Sequence, residues 1–304
     1  MEEERCVLPV VLVAGGTGRT GAEVVKQLAA SNAYRVRVLV RDEEKAQQLL
    51  GGLAEREGSS RLQFVHGSLT DASLPAGLCK DVQYVIFAAG TTPFKNQSTN
   101  SEYHVGYLGL KKLLEQVKKE STEDFRCFVL ISSLGVERPF FFVTMLLNVI
   151  GNMVMKWKLR GENELRSSGL PYLIVRPGGL VDEAGGRDEL VFAQGDNISG
   201  RVTRADVAQV CVEALSYSAV DNCTFELIAK KKQKQNEGGE GDGERNEEYW
   251  EQMFASLKKD EGMKVPTFSH SLPFQLFGGV VIGLVAASAA WSFGLWSSSS
   301  ASSS

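Results

Sequence analysis

From residue 7 to about residue 229 the chain alternates between short apolar runs and stretches with helical periodicity. The runs VLPVVLVAG (7–15), YRVRVLVR (34–41), LQFVHGSL (62–69), VQYVIFAAG (82–90), RCFVLISS (126–133), PYLIVRP (171–177) and TFELIA (224–229) are rich in β-branched and aromatic residues, and each predicts a strand. Between them, GAEVVKQLAA (21–30), EEKAQQLL (43–50), SEYHVGYLGLKKLLEQVKK (101–119), a stretch within 140–167, and RADVAQVCVEAL (204–215) space apolar residues three and four apart, as amphipathic helices do. Buried strands alternating with helices predict a parallel sheet with helical crossovers, an α/β doubly wound, Rossmann-type domain over residues 1–229.

The character changes after residue 229. KKKQKQNEGGEGDGERNEE (230–248) has no apolar residue and reads as a charged, flexible linker. Residues 249–262 place Trp250, Phe254 and Leu257 at helical spacing, an amphipathic helix that packs back on the domain or meets a partner. LPFQLFGGVVIGLVAASAAWSFGLW (272–296) runs 25 residues without a charge. As a helix it would be about 38 Å long, enough to cross a hydrocarbon layer of roughly 30 Å. Phe274 and Phe277 stand near one end and Trp291 and Trp296 near the other, where an aromatic belt would lie. The pattern predicts a C-terminal single transmembrane helix, with Lys258, Lys259 and Lys264 flanking it on the side of the large domain. A lipid bilayer is thus one expected partner, and a membrane protein a possible second.

Composition narrows the function classes. A net charge of −4 over 304 residues gives nucleic-acid binding no electrostatic support. The five cysteines (6, 79, 127, 211, 223) form no CxxC pair, and their scatter points to free thiols in a reducing compartment. His66, His104 and His270 are too dispersed for a triad, and no metal site is expected. The N-terminal MEEERCVLPVVLV carries no cationic leader pattern of its own.

The chemistry begins at AGGTGRTG (14–21), which ends a strand and opens a helix, with Gly15, Gly18 and Gly21 at three-residue intervals. The first glycine permits the tight turn, the second lets backbone approach a pyrophosphate, and the third lets helix pack on strand. The helix then presents unpaired N–H groups and its positive dipole end to phosphate. At the end of the second strand an acidic residue would hold the ribose diol of NAD. Arg41 stands there instead, and a guanidinium suits the 2′-phosphate of NADP(H), with Arg19 available as a second cation. NADP(H) is therefore the expected cofactor ahead of NAD(H), and Asp42, one residue late, is expected to point away.

The motifs GGTGRTG, VLVRD, ISSLG, WKLRGENELRSSGLPYLIVRPGGL and VTRADVAQVCVEAL, in this order, resemble the atypical short-chain dehydrogenase/reductase family over roughly residues 8–229. The branch they resemble holds plastid and cyanobacterial NAD(P)-binding proteins, related to NmrA-like redox sensors, biliverdin-IXβ/flavin reductases and the NADP-binding subunit of the chloroplast import translocon. The resemblance implies that Gly15, Thr17, Gly18, Arg19, Thr20 and Gly21 cradle the phosphates and that Arg41 binds the 2′-phosphate. It places Ser68 and Leu69 by the adenine, although the family usually has Asp at position 68. Ala88, Ala89 and Gly90 would lie under the ribose, Ser132 and Ser133 beside the nicotinamide, and Pro177, Gly178 and Gly179 over it. The family's working pair is Tyr-x-x-x-Lys on one helix face. Here Lys158 is present, as a cofactor-binding and catalytic candidate beside Ser133, but Val154 holds the tyrosine's position. Tyr172 reads as core. Tyr103 and Tyr107 are weak candidates for an acid, Glu162 reads as a surface or salt-bridge residue, and Arg204 and Asp206 are expected to cap a helix.

Two functions fit these residues. One is a membrane-anchored reductase that passes hydride to a flavin, quinone or tetrapyrrole-like acceptor, which takes its proton from water. The other is a non-catalytic NADP(H) sensor or assembly protein at a membrane. Either would keep its Rossmann domain in the cytosol or, by the resemblance, the plastid stroma.

Overall fold

The computed structural model describes residues 8–56, 61–91, 101–138, 142–217, 221–231 and 245–260. Strands β1 (Val10–Ala14), β2 (Arg35–Val40), β3 (Leu62–His66), β4 (Val82–Phe87), β5 (Cys127–Ile131), β6 (Tyr172–Pro177) and β10 (Cys223–Lys230) form parallel pairs in the order β3-β2-β1-β4-β5-β6-β10. The order reverses between β1 and β4, which opens a crevice at their carboxyl ends. Each central strand is apolar on both faces because both faces are covered. Val11 and Val13 of β1 join one core layer and Val10, Leu12 and Ala14 the other.

The first layer is closed by α1 (Arg19–Ser31), α2 (Glu43–Arg56), α6 (Arg204–Glu213) and α7 (Glu247–Ala255), through residues such as Val25, Leu28, Leu50, Val207 and Trp250. The second is closed by α3 (Leu110–Glu120) and α5 (Val154–Arg166), through Leu110, Leu113, Val117 and Leu165. A short helix, α4 (Phe142–Ile150), leads into α5.

Several boundaries differ from the sequence expectation. Three short strands carry too little periodicity to be read from sequence: β7 (Gly179–Val181), β8 (Glu189–Ala193) and β9 (Arg201–Thr203). They finish the sheet edge, β8 and β9 running antiparallel to β10. The helix expected over 101–119 starts as a π-helix, Tyr103–Gly109, before α3. The domain does not stop at 229. Trp250 and Phe254 of α7 are each 1% exposed, and the Phe254 ring lies 5.6 Å from Phe192 and 5.1 Å from Tyr217. The amphipathic helix thus packs on its own domain. Residues 232–244 of the expected linker lie outside the described residues, but its ends are ordered. Lys230 closes β10, and Arg245 donates to Asp206, Gln209 and the Asp188 carbonyl.

The helix-capping expectation shifts by one residue. Thr203, not Arg204 or Asp206, is the cap of α6: its hydroxyl accepts from the Asp206 N–H at 2.9 Å and donates to the Asp206 carboxylate at 2.8 Å. Arg204 instead pairs with Asp182 at 2.7 Å. The uncharged stretch 272–296 lies outside the described residues, and among those described no helix is long and apolar enough to cross a membrane.

Candidate functional site

A cleft of about 300 Å³ opens where the strand order reverses. Gly15, Thr17 and Gly18 form its floor, Arg41 and Lys45 one end, Ser68 and Leu69 a side, and Ala88, Ala89, Gly90 and Thr91 the wall. The turn depends on two glycines. Gly15 sits at φ +88°, and a Cβ there would lie 2.6 Å from the Ala89 nitrogen. At Gly21 a Cβ would lie 2.2 Å from the Gly15 carbonyl oxygen, so α1 could not approach β1. Gly18 precedes α1 and gives no side-chain cap, which leaves the first-turn N–H groups of the helix for an anion. A dinucleotide pyrophosphate fits this arrangement: a side-chain-free turn directly under a helix N-terminus.

Nine of the expected positions, Gly15, Thr17, Gly18, Arg41, Ser68, Leu69, Ala88, Ala89 and Gly90, line this one cleft. Asp42 does turn away, its carboxylate accepting from the Lys45 N–H at 2.9 Å at the start of α2. Lys45 is the cation that the sequence reading missed. It shares the cleft wall with Arg41, while Arg19 does not, because Arg19 reaches 3.0 Å to Asp182 beyond β7. Thr20 and Gly21 lie within α1 and are not among the residues lining the cleft. Ser68 is tied into a local turn, its N–H donating to Asp71 at 2.7 Å and its hydroxyl 2.9 Å from that of Thr70.

At the opposite end a small adjoining cavity is lined by Ala89, Glu102, Gly106, Ser132 and Lys158. Lys158 is no solvated helix cation. Its ammonium lies 3.5 Å from the Glu102 carboxylate, whose side chain is 2% exposed, against 17% for Lys158. Glu102 also accepts from the Thr91 N–H at 2.9 Å and hydroxyl at 3.0 Å, so one carboxylate links α5 to the strand end that walls the cleft. Room for it comes from Gly106, where a Cβ would fall 2.0 Å from Glu102 Oε1. Sequence reading passed over Glu102, which looked like the first turn of an ordinary helix. The π-helix that follows it is the one local irregularity that marks the spot.

The remaining predicted residues have structural partners. Ser132 donates to Glu162 at 2.5 Å, and of the two readings of Glu162 the salt bridge holds and the surface position does not: it is 0% exposed between Arg176 at 2.6 Å and Arg166 at 3.0 Å. Burial alone would push the Glu162 carboxyl up, but the two guanidinium groups and their hydrogen bonds hold it below its ordinary range. The Ser133 hydroxyl donates to the Leu134 carbonyl at 3.3 Å. Pro177 ends β6, and Gly178 and Gly179 pack against Gly200 and β10, away from the cleft lining. Val154 is buried, as is Tyr172, whose hydroxyl donates to Asp260 at 2.9 Å. The Tyr103 and Tyr107 rings pack at a tilt against Trp157, with centroids 4.5 and 5.5 Å away. Burial and the neighbouring Glu164 carboxylate push the Tyr107 phenol up, which suits it poorly as an acid.

The chain is similar to known proteins. Residues 15–217 match a family model described as NAD(P)H-binding. Sanguinarine reductase of Eschscholzia californica is 31% identical over 249 residues, covering 72% of this chain and 89% of that protein. The chloroplastic protein TIC 62 of Arabidopsis thaliana is 28% identical over 72% of this chain, which spans 36% of its length. Among solved structures, a putative NAD-dependent epimerase/dehydratase from Bacillus halodurans superposes with a TM-score of 0.61 at 24% identity, over 74% of this chain and 95% of that one. Glycine turn, strand order and cleft therefore agree with the family match, and the chain belongs to the NAD(P)H-binding family.

Proposed function

We propose that this protein is a membrane-anchored, NADP(H)-dependent reductase that delivers hydride to a flavin, quinone or tetrapyrrole-like acceptor. The observation that carries the reading is Lys158, held at the inner end of the cleft by Glu102, with buried Val154 four residues before it on α5. The apparatus for holding a nicotinamide ribose is kept, and the phenol that ketone chemistry needs is absent. An acceptor whose reduced form takes its proton from water needs only proximity and orientation. Reduced nicotinamide would supply the hydride. The chain's own part is to seat the phosphates on the Gly15–Gly18 turn, to orient the ribose through Lys158, and to select the 2′-phosphate through Arg41 and Lys45. The kinship with sanguinarine reductase supports reductase chemistry, and the chloroplastic relatives support a plastid stroma. Residues 272–296, long enough and uncharged, are the anchor in this reading.

The missing phenol also favours a second reading, an NADP(H) sensor or assembly protein. Full-length protein in detergent, given NADPH and a panel of quinones, flavins and tetrapyrroles, separates the two. Turnover with one acceptor, lost in Arg41→Asp, supports the reductase. Tight NADPH binding without turnover supports the sensor, and no binding sinks both.

A further inference from the structure

Helix α4 has its polarity inverted. Its buried positions are polar: Thr144 is 1% and Asn148 5% exposed. The Thr144 hydroxyl donates to the Gly135 carbonyl at 3.0 Å, and the Asn148 amide oxygen accepts from the Met155 N–H at 3.0 Å. Its exposed positions are apolar: Phe142, Val143, Leu146 and Val149 are 70, 48, 44 and 45% exposed. At about 100° per residue these four fall within an arc of roughly 120°. A helix turned this way in water leaves a continuous apolar stripe uncovered, and it keeps that orientation because Thr144 and Asn148 bond the backbone on either side.

We propose that this stripe is a docking face for an anionic lipid bilayer, with α4 lying in the plane of the interface. Charge selects this occupant. Residues 138–161 hold no carboxylate. Arg138 and Lys158 pair inward with Asp196 and Glu102, and Lys156 and Arg160 are the cations of this stretch that meet no carboxylate among the described residues, in a protein whose net charge is −4. Lys156 and Arg160 lie 5.3 and 4.9 Å from the centre of the Trp157 ring, an indole flanked by cations, as at membrane–water boundaries. The stripe is too narrow for a stable dimer, since a standard protein interface takes roughly 20–30 residues a side and nine-residue α4 offers four large side chains. The inference rests on the membrane-bound reading above and adds an orientation to it. Because Gly135 and Met155 join α4 to the segments carrying Ser133 and Lys158, docking would hold the inner end of the cleft beside the lipid, where a lipid-soluble acceptor partitions.

The test uses the full chain in a Cys6→Ser background; Cys79, Cys127, Cys211 and Cys223 are buried. An environment-sensitive fluorophore is placed at Leu146→Cys and, as a control on exposed α2, at Gln48→Cys. The expected result on vesicles of equal phosphatidylcholine and phosphatidylglycerol is that the label at 146 loses most of its emission to a lipid-tail nitroxide and is shielded from iodide, while that at 48 stays open to iodide. If the chain floats with the vesicles but the label at 146 remains open to iodide, docking is overturned and the anchor stands. If the chain does not float with the vesicles, both fail. Equal nitroxide quenching on phosphatidylcholine alone would overturn the anionic-lipid assignment. Shielding before lipid is added overturns docking too. It assigns the stripe to a second copy if shielding rises with protein concentration, and to residues 261–304 of the same chain if it does not.

Discussion

Glu102 and Lys158 face each other across 3.5 Å at the inner end of the cleft, and the same carboxylate holds Thr91 by two hydrogen bonds. The pair joins the first residues before the π-helix to the middle of α5, over a sequence distance that no local pattern spans. Replacing Glu102 with Gln removes the charge but keeps an acceptor for Thr91. We expect NADPH to bind about tenfold more weakly, close to 1.4 kcal/mol, with the fold intact. Gly106→Ala should produce a similar loss, because its methyl group would displace the Glu102 carboxylate. Titration of NADPH fluorescence checks both, and unchanged affinity in both variants would remove Glu102 from the site.

Lys45 stands beside Arg41 at the other end of the cleft. An exposed ammonium near a phosphate contributes on the order of 1 kcal/mol, so Lys45→Ala should weaken NADPH binding about fivefold. NADH binding should hardly change, because it has no 2′-phosphate. Equal losses for the two dinucleotides would mean that Lys45 acts elsewhere.

Glu226 links pH to stability. It lies on β10 beside Arg176 of β6, whose guanidinium donates to it at 3.3 Å, and its second oxygen is buried without a hydrogen-bond partner. Burial pushes its carboxyl up, Arg176 pulls it part of the way back, and the result is about 7 against an ordinary 4.5. The folded state therefore keeps this proton after the unfolded chain has lost it. The contribution is fully present below pH 4.5 and declines up to about pH 7, a loss on the order of 3 kcal/mol. Glu226→Gln should flatten that decline and leave the variant more stable than the parent at pH 8, by roughly the same amount. Urea unfolding of both proteins at a series of pH values is the measurement. Parallel curves would refute the assignment.

Phe254 tests where the domain ends. It packs between Phe192, Tyr217 and Trp250, so Phe254→Ala should cost about 3–5 kcal/mol. A thermal melt that does not move would show α7 to be an appendage, contrary to its burial.

The parallel sheet and the dinucleotide turn were legible in the chain because the signals are local. A run such as Val10–Ala14 can only be a strand covered on both faces, and Gly15 and Gly21 mark a turn that tolerates no side chain. The same holds for Arg41, whose place at the end of β2 follows from counting along one strand. Tertiary structure decided which charges meet. Arg19 was drawn off to Asp182, Lys45 took its place beside Arg41, and Glu162 was buried between two arginines. It also decided that α7 belongs to the core, and that α4 turns Thr144 and Asn148 inward and its apolar residues out. Charge pairs and helix facing depend on elements dozens of residues apart being brought within a few ångströms. The spacing along a chain records how one element is patterned, and not what the other elements bring to it.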